Sequence, residues 1–368
     1  MRILSPEDYG RFAVVSANVG LVATFINFKT PDVVLQASEK DIKGELPARV
    51  GTAIVLESVL VALGGVGVLY LFDLLVAGAF IVLAHTLFTT WLNTEIRLFE
   101  RGFDYRTITA LEILAYITAY ALTVLGAVWG FGAIVLYLRG ALNAVCIAVG
   151  LWYLGALGSF PVRWLEVEEW KSWFHRVGGF WGDSILAQSF SRLLILIAGA
   201  IGTEATTGLF FQARRLARVP HQLFAPVMNR LVLNHLSRQI PSERRTHLRD
   251  ILLGLVALLC PVVVMIWQFG DPVIPFLFGE DWGPVVPMLL LMAGVIVGKS
   301  TLDAVKVYCM SGNNMTRFLI AGRGGQYAGL AVGLLVMYVL GTSAGSGLSF
   351  ALSLAFVVGT ILSYLLVR

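Results

Sequence analysis

Residues 284–310 read PVVPMLLLMAGVIVGKSTLDAVKVYCM, and the fold of the chain depends on how this stretch is interpreted. Its middle, AGVIVGKST at 293–301, matches a phosphate-binding loop if Ala293 replaces the first glycine of G-x-x-x-x-G-K-[ST]. Such a loop needs a strand before it and free backbone N–H groups in a Gly-rich turn. Here both flanks are apolar, with no strand pattern and no turn break, which predicts a membrane helix. Amides inside such a helix are already bonded to carbonyls four residues earlier, so we reject a nucleotide site.

Composition extends this interpretation to the whole chain. Of 368 residues, 57% are apolar and only 14% are charged, whereas soluble proteins carry about 25% charged residues. Apolar runs long enough to cross a hydrocarbon core of about 30 Å recur along nearly the full length. The predicted fold class is therefore all-α, a polytopic membrane protein. No nucleic-acid partner is expected, because the basic residues lie in short loops between the spans.

The cysteines and histidines give no sign of a metal site or a disulfide. Cys146, Cys260 and Cys309 lie in apolar stretches and form no C-x-x-C pair, and the five histidines are scattered. Buried thiols are the expected state. No metal and no cofactor is predicted.

The loops set the predicted topology. Loops that contain Lys or Arg, of which the first begins at Lys29, alternate with loops that contain neither, and the loop at 269–283 carries three acidic residues instead. The positive-inside rule then places the basic loops and the C-terminus in the cytoplasm and residue 1 outside the inner membrane. The predicted spans, about eleven, are 9–28, 49–71, 74–94, 106–126, 130–154, 178–201, 205–232, 247–268, 284–310, 317–340 and 343–366.

The segment after the fifth span is the predicted domain boundary. We expect an N-terminal lobe of five spans at 1–155, a cytoplasmic amphipathic linker at 156–177 and a C-terminal lobe of six spans at 178–368. An interfacial helix is one interpretation of the linker, and a passive aromatic belt is the other. The aromatic and apolar stripe on which the first depends consists of Trp164, Val167, Trp170, Trp173 and Phe174.

Three charged residues share one face of the span at 284–310. Lys299, Asp303 and Lys306 are spaced i, i+4, i+7. A charge near the bilayer centre costs about 2.5–3.5 kcal/mol on insertion scales, so this face is expected to look into protein or water. Asp303 can pair with either lysine, which leaves one surplus cation and predicts an anion site. In the alternative, either lysine reaches the headgroups with its charged end.

Arginines in two other spans follow the same reasoning. Arg192, in ILAQSFSRLLIL, is central to its span, with Gln188 one turn earlier, and Arg139 lies in LYLRGALN. We predict that these side chains face a cavity, because a lipid-facing guanidinium is costly.

Acidic residues within the spans are candidates for ion coupling. Glu57, in IVLESVLV, is the best candidate for a protonatable group, with a structural interhelical hydrogen bond as the alternative. Asp183 is a second candidate, although it lies near a helix end, where it can cap the helix or pair with a loop arginine. His85 is expected to be packed rather than functional.

Four stretches, in order along the chain, resemble motifs of polysaccharide flippases. LSPEDYGRFAVVSANVGLVATF at 4–25 resembles the pattern L-[GS]-P-E-[DE]-[FY]-G, and 97–136 resembles the R-x-x-x-F-R … E … G-x-G passage. FQARRLARVPHQLFAPVMNRL at 211–231 and FLFGEDWGPVVPMLLLMA at 276–293 are similar to two further family helices. The chain is identified on these motifs as a Wzx-like O-antigen or exopolysaccharide exporter of the MOP superfamily.

The resemblance implies a fold and a mechanism. Members have two six-helix lobes related by a pseudo-twofold axis around a central cavity, and they work by alternating access. Twelve helices with both ends inside are usual, so eleven spans lead us to expect that the first helix is absent through truncation or a late start codon. The family also usually has an acidic residue and a glycine near 27–30, where this chain reads NFKT.

The resulting hypothesis is translocation of an oligosaccharide linked to undecaprenyl pyrophosphate, for polysaccharide biosynthesis. The pyrophosphate is attracted by Arg192, Lys299, Lys306 and Arg139, with Gln188 beside them and Asp303 holding the lysines. Glu57 and Asp183 serve proton or sodium coupling. No bond is made or broken, so no enzyme is expected, and the partners are membrane lipids and the polysaccharide polymerase machinery.

Three alternatives stay open. A cation-coupled drug exporter of the same superfamily predicts an acidic rather than a cationic cavity. A membrane glycosyltransferase or ligase needs longer loops that carry catalytic acids, and the predicted outer loops are short. A truncated, non-transporting homologue is the third.

Overall fold

The computed structural model describes residues 4–101, 105–224, 244–311 and 315–366, and every regular element within these ranges is helical. This confirms the all-α class, the only one besides a closed barrel in which a membrane span satisfies its own backbone hydrogen bonds. The α-helices are α1 (Pro6–Ile26), α2 (Thr30–Gln36), α3 (Glu39–Lys43), α4 (Leu46–Leu71), α5 (Ala77–Arg101), α6 (Tyr105–Val128), α7 (Ile134–Tyr153), α8 (Val167–Ile201), α9 (Glu204–Ala217), α10 (Arg244–Phe278), α11 (Val285–Leu291), α12 (Ala293–Ser311), α13 (Met315–Phe318), α14 (Gly324–Leu340) and α15 (Ala344–Leu366).

In the described residues, seven of these helices contain a segment long and apolar enough to cross a membrane, α13 and α14 form an eighth such segment (Met315–Leu340) through a π-helical turn, and a bent pair raises the number to nine. The predicted count of eleven is not confirmed by this criterion. α5 replaces the predicted span 74–94 but falls outside the eight, because threonine, asparagine and histidine dilute its apolar sequence. α9 has only 14 residues, and the predicted span 205–232 continues beyond the described residues.

The span predicted at 284–310 is broken, which corrects the expectation of an uninterrupted helix. The axes of Glu280–Leu291 and Ala293–Met310 differ by 49°. At the break, the N–H of Met292 donates to the carbonyls of both Met288 and Leu289, each at 3.1 Å. The bond from Met292 to Leu289, three residues earlier, tightens the last turn of α11 and ends it. α12 then starts in a new direction.

α10 continues past the predicted span 247–268. It ends at Phe278 and includes Pro261, Pro272 and Pro275. Most of the predicted outer loop at 269–283 is therefore helical. Gly279 follows with φ 110°, a conformation that only glycine adopts without strain, and it ends the helix.

The predicted linker helix is the first part of α8, which continues from Val167 to Ile201 as one helix of 35 residues. Its aromatic stripe is divided between two environments. Trp173 is only 3% exposed and packs in a core cluster with Val50, whereas Trp164, before the helix, is 94% exposed. The sequence pattern did not separate these two tryptophans, because the core partner of Trp173 comes from α4.

An ion-pair network attaches the start of α8 to the start of α4. Arg49 contacts Glu45 at 3.1 Å and Glu169 at 3.0 Å, and Arg163 pairs with the same two carboxylates. The backbone N–H of Glu166 donates to Glu169, and this bond, with the charges of Arg163 and Arg49, holds the pKa of Glu169 below its usual range. The network thus links residues near the starts of both helices.

By packing, the chain divides into two compact units. One is Phe12–Leu196, and the other combines Met1–Arg11 with Ile197–Arg368. The limits at Arg11 and Leu196 fall inside α1 and α8. This division differs from the boundary expected at 156–177, and the two lobes of that expectation stay a prediction.

Candidate functional site

The unit Phe12–Leu196 contains a cavity of about 420 Å³ lined by α1, α5, α7 and α8. Three side chains predicted to bind substrate line it together: Arg192 and Gln188 from α8, and Arg139 from α7. The rest of the described lining consists of neutral polar groups, one histidine and a few apolar residues, and it includes no aspartate or glutamate. Two guanidinium groups in a cavity whose described lining has no carboxylate create a positive potential that attracts anions.

Arg192 lies against α1 at a glycine. A methyl group added at Gly20 would lie 2.5 Å from Cζ of Arg192 and 2.9 Å from its Nη2. Gly20 therefore leaves the space that the guanidinium occupies. Because the side chain lies at the wall of a polar cavity, its charge avoids the cost of facing lipid.

Arg139 is held by an aromatic residue of α6. Its Nη1 donates to the hydroxyl of Tyr120 at 3.3 Å, and its Cζ lies 5.2 Å from the centre of the Tyr120 ring. This is a cation–π contact within the usual limit of about 6 Å. His85 lines the same cavity, and a methyl group added at Gly140 would lie 2.7 Å from its Nε2. The histidine expected to be merely packed is thus part of the cavity wall.

Gln188 belongs to a chain of polar contacts that leads to Lys29. Its Nε2 donates to Oγ of Ser184 at 2.8 Å, and Nζ of Lys29 donates to the same oxygen. Lys29 is only 8% exposed. Lys29 lies in the connection between α1 and α2, and Ser184 of α8 gives its buried side chain a polar partner. The cytoplasmic location of this connection stays a prediction.

Glu57 is buried beneath the connection between α1 and α2. It is 2% exposed, and its Oε2 accepts a hydrogen bond from the backbone N–H of Phe28 at 2.9 Å. The next residue, Lys29, has φ 58°, the left-handed conformation for which glycine is preferred. Glu57 therefore stabilises a sharp break in the chain and is not part of the described cavity lining. Asp183, the other acidic candidate, is half-buried and directly precedes Ser184 in α8.

Lys299 and Asp303 lie in the other unit and form an ion pair. Nζ of Lys299 is 2.8 Å from Oδ2 of Asp303, and both side chains are less than one-fifth exposed. Nε2 of His221 lies 3.2 Å from the same oxygen, and its Nδ1 lies 3.1 Å from Oγ of Ser300. One carboxylate thus joins α12 to the segment that follows α9. Lys306 lies two turns beyond Lys299 and is half-buried.

The resemblance of 293–301 to a phosphate-binding loop has no structural basis. The stretch is the first half of α12, and its leading amides already have acceptors. The N–H of Gly294 donates to Oγ of Ser353 at 2.7 Å, and the N–H groups of Val295 and Ile296 both donate to the carbonyl of Met292. No strand precedes them in the described part of the chain. These amides are not free to bind phosphate.

The predicted substrate residues therefore form two groups in different compact units. Arg192, Arg139 and Gln188 line one cavity, whereas the charged residues of α12 belong to the second unit. Sequence reasoning missed several residues in these surroundings. A polar stripe in α5, at spacings of three and four residues in HTLFTTWLN, is a signal that points to the cavity. No such signal marks His221, since its partner Asp303 lies far along the chain.

Two solved structures have a fold similar to that of this chain. The chain is similar to a multidrug resistance MATE family transporter of the MOP superfamily in its inward-facing conformation, with a TM-score of 0.69 and 15% identity over 98% of this chain and 90% of that one. It is also similar to the lipid II flippase MurJ in an inward closed conformation, with a TM-score of 0.67 and 14% identity over 98% of this chain and 85% of that one. At these identities the likeness establishes the fold alone.

A family model gives the narrower assignment. The model for polysaccharide biosynthesis proteins matches residues 1–287, and the chain belongs to that family. This confirms the relationship inferred from the motifs. The search of curated proteins gave no significant match.

Proposed function

We propose that this multi-pass membrane transporter is a flippase for an oligosaccharide linked to undecaprenyl pyrophosphate, in the inner membrane and with its C-terminus in the cytoplasm. It moves the carrier by alternating access without making or breaking a bond. The supporting observation is that Arg192, Arg139 and Gln188, which come from two helices, line one cavity whose described lining has no acidic residue. Such a lining favours an anionic head group over a cationic drug.

The roles of the charged residues follow from their surroundings. Arg192 and Arg139 bind the pyrophosphate, because guanidinium groups bind phosphate oxygens through charge-assisted hydrogen bonds. Gln188 positions Arg192 from one turn away. In α12, Asp303 compensates Lys299, so we assign this pair to holding the helix, and Lys306 remains the proposed anion-attracting residue of that helix. Glu57 and Asp183 remain the proposed coupling groups for protons or sodium.

Export in cells tests the proposal. The chromosomal gene is deleted, and plasmid-borne variants are compared for surface polysaccharide and for membrane abundance. We expect the double variant Arg139→Ala/Arg192→Ala to abolish surface polysaccharide at unchanged abundance and to accumulate the lipid-linked precursor. Arg249→Ala is the matched control, because this arginine is exposed and pairs only with its neighbour Asp250 among the described contacts. Normal export by the double variant, or efflux of cationic drugs by the wild type, would overturn the proposal.

A further inference from the structure

The α5 wall of the cavity carries a row of threonines. Thr86, Thr89 and Thr90 line the cavity from α5, and Thr24 lines it from α1. The α5 spacing of three and four residues puts these side chains on one face of the helix. Thr86, Thr89 and Thr90 make α5 less apolar than α4, α6 and α7. The function proposed for the arginines does not use these threonines.

The hydroxyl protons of these threonines are already donated. Each is bonded to a carbonyl one turn earlier in its own helix: Thr24 to Gly20 at 2.7 Å, Thr86 to Val82 at 2.8 Å, Thr89 to His85 at 2.9 Å and Thr90 to Thr86 at 3.3 Å. A hydroxyl group has one proton and two acceptor lone pairs. What these threonines can still offer to a ligand is therefore the acceptor side of the oxygen.

The arginines and the threonines thus present two different kinds of hydrogen-bonding group in the cavity. Arg139 and Arg192 are purely hydrogen-bond donors and carry positive charge, whereas the threonine row offers neutral acceptors. A ligand that matches both has an anionic part and, next to it, a part rich in neutral donors. An ammonium group also donates, but two guanidinium groups in the same cavity repel it.

We propose that the cavity takes a sugar together with the diphosphate to which it is bonded, and that the threonine row accepts hydrogen bonds from the hydroxyl or amide N–H groups of that sugar. This inference rests on the proposed function and adds a specificity-determining surface to it. The volume of about 420 Å³ lies in the range of sites for small ligands, which is about 300–1,000 Å³. By this proposal, the threonine row makes the flippase selective for the sugar that is bonded to the diphosphate.

Binding of two lipids to the purified protein tests the inference. The probes are undecaprenyl diphosphate without sugar and undecaprenyl diphosphate carrying a single N-acetylglucosamine, which offers both hydroxyl and amide donors. We expect the wild type to bind the sugar-bearing probe about tenfold more tightly, because each neutral hydrogen bond is worth roughly two- to tenfold in affinity. Equal affinity for the two probes would overturn the inference.

Two double variants assign the preference to the threonines. Thr89→Val/Thr90→Val keeps the side-chain shape but removes both oxygens, so we expect the preference to fall about fivefold or more while the bare diphosphate binds as before. Thr89→Ser/Thr90→Ser keeps the oxygens and is expected to keep the preference. A valine variant that retains the preference, or that weakens both probes equally, contradicts the inference.

Arg192→Ala separates this inference from the proposed function. We expect this variant to weaken both probes to a similar degree, because both carry the diphosphate. If it does so while the valine variant changes nothing, the flippase proposal stands and the sugar-reading surface is wrong. If neither probe responds to Arg192→Ala, the diphosphate site itself is wrong.

Discussion

The two compact units contain buried positive charges in different surroundings. In Phe12–Leu196, Arg192 and Arg139 line a cavity of about 420 Å³ together with neutral polar groups. In the second unit, Lys299 lies 2.8 Å from a carboxylate oxygen of Asp303, which is also 3.2 Å from a nitrogen of His221. The first arrangement leaves space for a ligand beside the cations, and the second fills that space with a protein carboxylate.

This difference decides which positive charges are available to a substrate. A cation within the membrane is costly wherever it lies, so its presence alone does not distinguish binding from stability. The distinguishing feature is whether the cation borders a cavity with room for a ligand or lies against a protein carboxylate. We therefore expect substitutions in the cavity to change transport, and substitutions in the α12 pair to change stability.

Reversing the charge of Arg192 is expected to have the largest effect on transport. Arg192→Glu removes charge-assisted hydrogen bonds worth about 1.5–3 kcal/mol each and adds repulsion of the diphosphate. Because every 1.4 kcal/mol is tenfold, we expect translocation in reconstituted vesicles to fall about a hundredfold or more. Arg249→Glu is the control at an exposed position and is expected to transport normally. Substantial translocation by Arg192→Glu would remove the cavity from the substrate path.

Breaking the ion pair of α12 is expected to reduce the free energy of unfolding. Asp303→Asn leaves Lys299 buried without a carboxylate, and losing one partner of a buried pair costs about 3–5 kcal/mol. The measurement is thermal unfolding of the detergent-solubilised protein. The double variant Lys299→Met/Asp303→Leu removes both charges and is expected to recover most of the stability and to keep transport. Loss of transport by this stable double variant would show that Lys299 acts on the substrate.

Glu57→Gln tests the proposed coupling role next. Glutamine keeps an oxygen that accepts the N–H of Phe28 but does not titrate between pH 5 and 9. We expect the variant to be as abundant and as stable as the wild type, to bind undecaprenyl diphosphate normally and to lose acceleration by an imposed proton or sodium gradient. If the variant still responds fully to both gradients, Glu57 has no coupling role and only stabilises the α1–α2 connection.

The smallest predicted effect is that of a methyl group beside the cavity. Gly20→Ala would displace the guanidinium of Arg192, which is the flexible end of its side chain, so stability changes little. We expect the affinity for undecaprenyl diphosphate to fall about three- to tenfold, as for one weakened charge-assisted hydrogen bond. Gly67→Ala is the matched control, since nothing lies within 4 Å of the added methyl group in the helix α4. Equal affinity of the two variants would argue against the position assigned to Arg192.

Local chemistry explains how much of the fold and of the candidate site could be predicted from the sequence. Runs of apolar residues predict membrane helices because the bilayer requires them, and the all-helical fold is confirmed. One cavity is lined by Arg192, Gln188 and Arg139. This agrees with the prediction that these side chains avoid lipid because placing them there is costly. The break at Met292 was not predictable from hydropathy, because it lies inside an unbroken apolar run and depends on the backbone bonds of three residues.

Contacts between residues that are far apart in the sequence account for the features that could not be predicted. Lys29 lies in the connection between α1 and α2, as its sequence surroundings suggest, but its side chain is buried and Ser184 of α8 accepts its hydrogen bond. Likewise, the charge balance of Lys299 involves His221 from the segment after α9. Spacing along one helix identifies neighbours on that helix only, so contacts of this kind need a three-dimensional structure.

The most direct test compares the two groups of positive charge in one binding measurement. Undecaprenyl diphosphate is titrated into the purified wild type, the cavity variant Arg139→Ala/Arg192→Ala and the stable pair variant Lys299→Met/Asp303→Leu. We expect the cavity variant to lose about a hundredfold or more in affinity and the pair variant to stay within about threefold of the wild type. The reverse order, with the cavity variant unaffected and the pair variant unable to bind, would contradict the assignment of the diphosphate site.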